Sequence, residues 1–264
     1  MISKLLFIPR AATDIIKVLL HKNIPFSERW NIAKVLGEIK IASLSKKLNE
    51  PFCFHLAKWK ISCLSNGNIG FLVKEIFVEE VYALNKNKEV FKILDLGSNI
   101  GLSVAYFKMR FPEAAIEAYE PDKNSFKLLQ KNIRENGWKN VSADEMAVSD
   151  ENGFLFALSI EEKASVNCNF ATSGREESQV PSKGIAEILQ QNFDIIKMDI
   201  EGGEWRIFKK IIDQKLILKA NNWFVEFHEI EKNKKQFEEI LNCFEQNGFE
   251  KEERKEVIYF YKNI

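Results

Sequence analysis

From residue 90 onward, the apolar positions of this chain alternate between two periods. Val90 to Leu96 is a short, almost unbroken apolar run, the pattern of a strand buried on both faces. Leu102, Ala105, Tyr106 and Met109 then recur at helical spacing until Phe111-Pro112 stops the helix. The pair repeats. Ala115 to Tyr119 predicts strand two, and Phe126, Leu129 and Ile133 a helix closed by Asn136-Gly137. Val141 to Val148 predicts strand three, and Phe154 to Leu158 alternates as an additional strand after Asn152-Gly153. Phe193 to Met198 predicts strand four, ahead of a helix on Trp205, Phe208, Ile211 and Ile212. Trp223 to Phe227 predicts strand five, followed by a helix on Phe237, Ile240, Leu241 and Phe244. Val257 to Tyr261 follows a short connection and so predicts a closing strand antiparallel to its neighbours. The charge run Lys251 to Glu256 reads as a solvent-facing segment. Glu161 to Lys183, polar and without period, reads as a long lid or binding loop.

Upstream of residue 89 the dominant period is helical. Ile32, Val35, Leu36 and Ile39 share a face, with Ser27 as N-cap and Pro51 beyond the end. Phe52 to Leu64 predicts a short hairpin, and Ile69, Leu72, Val73, Ile76 and Phe77 a further helix. The expected division is a mainly helical segment over 1–88 and an α/β domain over 89–264. That domain is a Rossmann-like, doubly wound, mostly parallel sheet with an antiparallel closing strand.

Charge and cysteine usage narrow the classes. Lys plus Arg equals Asp plus Glu at 38 each, and a chain with no basic excess is a poor nucleic-acid binder. Cys53, Cys63, Cys168 and Cys243 form no C-x-x-C pair, so neither a zinc site nor a disulfide framework is expected. The apolar run from Met1 to Pro9 is too short for a signal-peptide core, and no stretch nears the ~18 apolar residues of a membrane span. A cytoplasmic location is expected. The N-terminal segment is locally basic through Lys4, Arg10, Lys17, Lys22, Arg29, Lys34, Lys40, Lys46 and Lys47. It offers a surface for an anionic membrane or a partner subunit, although a helical cap with solvated charges is the simpler reading. Oligomeric state has no signal in the sequence.

The chemistry concentrates at the strand ends. Strand one runs into Asp95-Leu96-Gly97-Ser98-Asn99-Ile100-Gly101 and a helix starts at once. This is neither the G-x-G-x-x-G that wraps a pyrophosphate nor a P-loop. Asp-x-Gly-x-Asn-x-Gly suits a nucleoside carrying an amino acid, which points to S-adenosylmethionine held by Asp95, Gly97, Ser98, Asn99 and Gly101. Ligands of open α/β sheets sit at the carboxyl ends of the parallel strands. Those ends are Asp95, Glu120-Pro121, the region of Glu145, Asp199, and Glu226-Phe227-His228. Glu120 is placed to accept both ribose hydroxyls. In extended geometry Lys197, Asp199 and Glu201 share a face, and carboxylates gathered there need a cation, a proton or a ligand. Glu204 opens the next helix, where an acid is favoured in any case. Glu226 and His228 share a face of strand five, which makes His228 the candidate base, whereas His21 and His55 read as structural.

These residues resemble the FkbM family of S-adenosylmethionine-dependent methyltransferases. The likeness rests on Asp95 to Gly101, on Lys197-Met198-Asp199-Ile200-Glu201-Gly202-Gly203-Glu204, and on Val225-Glu226-Phe227-His228. It implies a class I methyltransferase fold and methyl transfer to a hydroxyl of a sugar, a glycan or a secondary metabolite. Glu145, Met146 and Ala147 are then expected beside the adenine, with Glu201 and Glu204 on the substrate side. His228 is expected as base with Asp199 as second candidate and Glu226 as orienter. Asp199, Glu226 and His228 could equally hold a divalent ion, and the sequence leaves the metal open. Three rivals are a nicotinamide-dependent oxidoreductase, a nucleic-acid methyltransferase and a cofactor-binding module without catalysis.

Overall fold

The structure is a computed structural model that describes residues 13, 15–20, 26–45, 50–64, 68–85, 89–157, 170–171 and 179–263. The chain divides into two units. One holds the described residues up to Val81 together with Lys131–Gly137, and the other holds Tyr82–Gln130 and Trp138 onward.

In the first unit, α1 (Phe26–Ser45) buries Ile32, Val35, Leu36 and Ile39, the face its spacing predicts. Ser27 lies inside this helix rather than ahead of it. β1 (Pro51–Leu56) and β2 (Trp59–Leu64) form the expected hairpin, turning through Ala57 at φ 51°. Cys53 is exposed and Cys63 buried, and both are free thiols, as is Cys243. α2 (Ile69–Phe77) buries Ile69, Val73, Ile76 and Phe77. Two asparagines extend the hairpin's hydrogen bonding. Ser62 N–H donates to Asn132 Oδ1 at 2.7 Å and Asn132 Nδ2 donates back to Ser62 O at 3.0 Å. Asn136 brackets Lys60 in the same way, at 2.8 Å each. Lys4, Arg10, Lys22, Lys46, Lys47 and His21 lie outside the described residues. Among those described, no helix is long and apolar enough to cross a membrane.

The second unit is built on a seven-stranded sheet. Its strands are β3 (Lys92–Leu96), β4 (Ala115–Tyr119), β5 (Val141–Asp144), β10 (Phe193–Met198), β11 (Ala220–Glu226), β12 (Glu250–Arg254) and β13 (Val257–Tyr261). The spatial order is β12-β13-β11-β10-β3-β4-β5, parallel from β11 to β5, with β13 antiparallel between β11 and β12. The chain leaves β3 toward β4 on one side and returns to β10 on the other. The β3–β10 boundary is therefore the point where strand order reverses, and the ligand crevice is expected there.

Helices cover both faces: α3 (Leu102–Arg110), α4 (Lys123–Asn136), α5 (Ile185–Ile188), α6 (Glu204–Asp213) and α7 (Lys234–Gln246). Alternation along β11 decides what each side packs against. Trp223 and Val225 join a core with Phe208 of α6 and Phe244 of α7. Phe224 turns to the opposite face and meets Tyr82 and Tyr259, with Phe107 of α3 beyond. Rings at these spacings add about 0.5–1.5 kcal/mol per pair beyond area burial.

Three expectations change. Predicted strand three breaks at Glu145-Met146, so that β5 stays in the main sheet while β6 (Ala147–Ser149) enters a separate one. That second sheet has the order β6-β9-β7-β8, with β7 (Gly153–Ala157), β8 (Phe170–Ala171) and β9 (Gln179–Gly184). The expected loop over 161–183 thus contains strand at 170–171 and from 179; its remaining positions lie outside the described residues. The charge run from Lys251 is an edge strand, β12, paired to β13 and exposed along nearly all its length. Exposure on both faces removes the alternation that would have revealed it, and charge on an edge blocks pairing with other chains.

Candidate active site

Strand β3 ends in a loop that is tight for internal reasons. Gly97 has φ 79°, and a Cβ there would lie 1.8 Å from the backbone oxygen of Asp199. The glycine is needed because β10 runs that close. Tyr119 O accepts from both Gly97 N–H and Ser98 N–H, at 2.9 and 3.0 Å. Asp95 is wholly buried beneath the loop, where Oδ2 accepts from the Ser103 hydroxyl at 2.6 Å and Oδ1 lies 3.4 Å from Lys197 Nζ. Ser98 Oγ–H donates to Asp95 O at 2.9 Å, and Gly101 caps α3 at φ 91° with Leu129 against its open side. Asp95, Ser98 and Gly101, expected to touch the cofactor, are buried in the loop and do not line the cleft. Gly97 and Asn99 line the cleft.

The cleft opens where the strand order reverses and encloses ≈ 710 Å³, solvent at its mouth included. Glu120 is the buried acid in its wall. Asn99, at φ 49°, donates its N–H to Oε2 at 2.7 Å, and Asp122 N–H donates to Oε1 at 2.8 Å. Burial pushes Glu120 up to about 7, against the lowering effect of those two donors. Each oxygen keeps a lone pair, so further hydroxyl donors would hold the carboxylate charged. Pro121, Met146, Ala147, Val148 and Leu155 give the cleft an apolar wall. Glu145 is exposed and not among the lining residues.

At the end of β10 the chain stops being extended, so the shared face expected for Lys197, Asp199 and Glu201 extends no further than Asp199. Glu201 and Gly202 turn back at φ 55° and 97°. Lys197 is buried and is the hub of this region. Its ammonium lies 3.4 Å from Asp95 Oδ1 and 3.6 Å from Asp199 Oδ2, and donates to Gly97 O at 2.6 Å. Burial opposes that charge, but Asp95 and Asp199 outweigh it and hold the lysine well above its ordinary value.

His228 sits in a ring of four acids. Nδ1 is 3.1 Å from Glu204 Oε1, and Nε2 is 3.3 Å from Glu201 Oε2, 3.5 Å from Glu226 Oε1 and 4.0 Å from Asp199 Oδ1. Burial disfavours a charged imidazole, but Glu204, Glu201 and Asp199 prevail and push it up to about 9. Burial, then Asp199, pushes Glu201 up to about 7. Trp205 Nε1–H donates to His228 O at 2.9 Å and fixes the backbone at the end of β11. Glu204, expected on the substrate side, is wholly buried and does not line the cleft; its Oε1 accepts from Ile200 N–H at 3.1 Å and so supports the turn. Asp199 and Glu201 line the cleft; His228 and Glu226 do not.

The methyltransferase FkbM domain matches residues 95–251, more than half of the chain. The protein belongs to this family. It is 22% identical to Methyltransferase sdnD of Sordaria araneosa, over 76% of this chain and 90% of that one. It is 25% identical to Methyltransferase 1 of Beauveria bassiana, over 55% of this chain and 68% of that one. A crystal structure of methyltransferase FkbM from Methylobacillus flagellatus has the same fold, with a TM-score of 0.52 at 14% identity. That likeness covers 96% of this chain and 59% of the other.

In this FkbM methyltransferase the cleft also uses residues that sequence patterns did not single out. Asp122 lines it two residues after Glu120, and Leu155 reaches it from the second sheet. Arg206 lines it from the first turn of α6 and makes no hydrogen bond or ion pair among the described residues. Its position just after the Asp199 to Glu204 turn was the available signal.

Proposed function

We propose that this methyltransferase uses S-adenosylmethionine and methylates a hydroxyl oxygen of a sugar, glycan or secondary metabolite. The observation that carries the cofactor reading is Glu120, a buried carboxylate fixed by two backbone donors at the end of the second parallel strand. It suits a ribose diol, and the wall of Met146, Val148 and Leu155 suits a purine. The same cleft disfavours a dinucleotide, because a pyrophosphate would face Glu120, Asp122, Asp199 and Glu201 against Arg206 alone.

When bound, the cofactor supplies an electrophilic methyl group. The chain's own task is to hold the acceptor and take its proton, since an alcohol is a weak nucleophile at neutral pH. Asp199 and Glu201 are the carboxylates that face the cleft for this. His228 lies against both, and Glu226 against His228. The resemblance in sequence supports oxygen as the acceptor atom.

Two measurements test the reading. Calorimetry should show binding of S-adenosylhomocysteine and none of NAD. Labelled S-adenosylmethionine incubated with fractionated glycans and lipids should transfer label to one fraction, through an alkali-stable ether. Binding of NAD in place of S-adenosylhomocysteine would overturn the cofactor assignment, and label found only on nitrogen or carbon would overturn O-methylation.

A further inference from the structure

We infer that Asp199, Glu226 and His228 form a binding site for a first-row divalent cation beside the Asp199 wall of the cleft, an inference that rests on the methyltransferase reading above. One donor atom from each lies within 4.8 Å of the others. Around a cation bound at about 2.1 Å, neighbouring ligands lie about 3.0 Å apart and opposite ones about 4.2 Å. His228 Nε2 is 3.5 Å from Glu226 Oε1 and 4.0 Å from Asp199 Oδ1, so a small contraction completes the set.

The orientation of the imidazole supports the same conclusion independently. Glu204 Oε1 can only accept, so His228 Nδ1 donates to it at 3.1 Å and Nε2 is the nitrogen presented to the acids. Metal-binding histidines are characteristically held this way, by a carboxylate on the far nitrogen. Glu204 is wholly buried and aims its carboxylate into the cluster, with Oε2 lacking any hydrogen-bond partner among the described residues. Burying such a group is costly unless positive charge stands close by. Among the described residues the His228 imidazole reaches only Oε1, which leaves Oε2 to a cation's charge.

One imidazole nitrogen with carboxylate oxygens selects Mn²⁺, Fe²⁺ or Zn²⁺ over Mg²⁺ and Ca²⁺, which prefer oxygen alone. With Asp199 engaged, Glu201 is the cleft carboxylate left free to take the acceptor's proton.

The test is a titration of the purified, metal-stripped protein with Mn²⁺, followed by the loss of the free-ion paramagnetic resonance signal. One Mn²⁺ per chain should bind at sub-millimolar concentration. Glu226→Gln and His228→Gln should abolish binding, and Glu204→Gln, which only positions the ring, should weaken it by about 10–100-fold. Glu120→Gln should leave Mn²⁺ binding unchanged while impairing S-adenosylhomocysteine binding. Wild-type protein that binds S-adenosylhomocysteine but not Mn²⁺ would overturn the cation site and leave the methyltransferase reading standing. Mn²⁺ binding that persists in both Glu226→Gln and His228→Gln would also overturn it. Binding of Mn²⁺ without S-adenosylhomocysteine would instead sink the cofactor reading on which it rests.

Discussion

Adenosine binding should weaken about tenfold when the pH is lowered from 8 to 6, and Glu120 is the reason. Burial holds this carboxyl at about 7 in the free protein, although two backbone N–H groups already favour its charge. Ribose hydroxyls donating to the remaining lone pairs stabilise the charged form alone, so binding lowers the pKa and releases a proton. The apparent dissociation constant then scales as one plus the ratio of protonated to charged Glu120. With a pKa of about 7, that factor is about 11 at pH 6 and about 1.1 at pH 8. The ratio corresponds to ~1.4 kcal/mol of binding free energy. Adenosine is the right probe because it carries the ribose without a methionine end, and so keeps clear of Asp199 and Glu201. Calorimetry at several pH values, in buffers of different ionisation enthalpy, gives both affinity and proton release. In Glu120→Gln the slope should vanish. An affinity that stays flat between pH 6 and 8, or a slope that survives in Glu120→Gln, would refute the ribose role.

Other outcomes follow from the buried network. Lys197→Met removes the ammonium 3.4 Å from wholly buried Asp95 and should cost about 3–5 kcal/mol in urea denaturation, partly restored by adding Asp95→Asn. Gly97→Ala places a Cβ 1.8 Å from the Asp199 carbonyl at φ 79°, so it should lower the melting temperature and remove S-adenosylhomocysteine binding together. Glu201→Gln should lower turnover by about 10²–10⁴ with S-adenosylhomocysteine affinity within a few-fold of wild type. Unchanged turnover in that variant would exclude it as the proton acceptor.

Much of the fold could be read from local periodicity. The five parallel strands and the helices between them each carry a complete apolar pattern within about a dozen residues, because burial of one face or both acts on neighbours in sequence. The strand-end acids Glu120, Asp199 and Glu226 were visible for the same reason: strand length fixes where the carboxyl end falls. What the sequence could not contain is distance between segments. Gly97 looked like a ligand-binding glycine, yet its requirement comes from Asp199 O, about a hundred residues away. Asp95 looked like a cofactor contact, but pairing of β3 with β10 buries it against Lys197. β12 has no pattern of its own, since only its pairing with β13 makes it a strand. The charge state of His228 was equally non-local. A lone histidine titrates near neutrality, and Glu204, Glu201 and Asp199, drawn together from the end of β10 and the start of α6, move it upward. Periodicity determined the elements and the residues at their ends; only the packing of those ends decided which residues face the cleft and which hold it in shape.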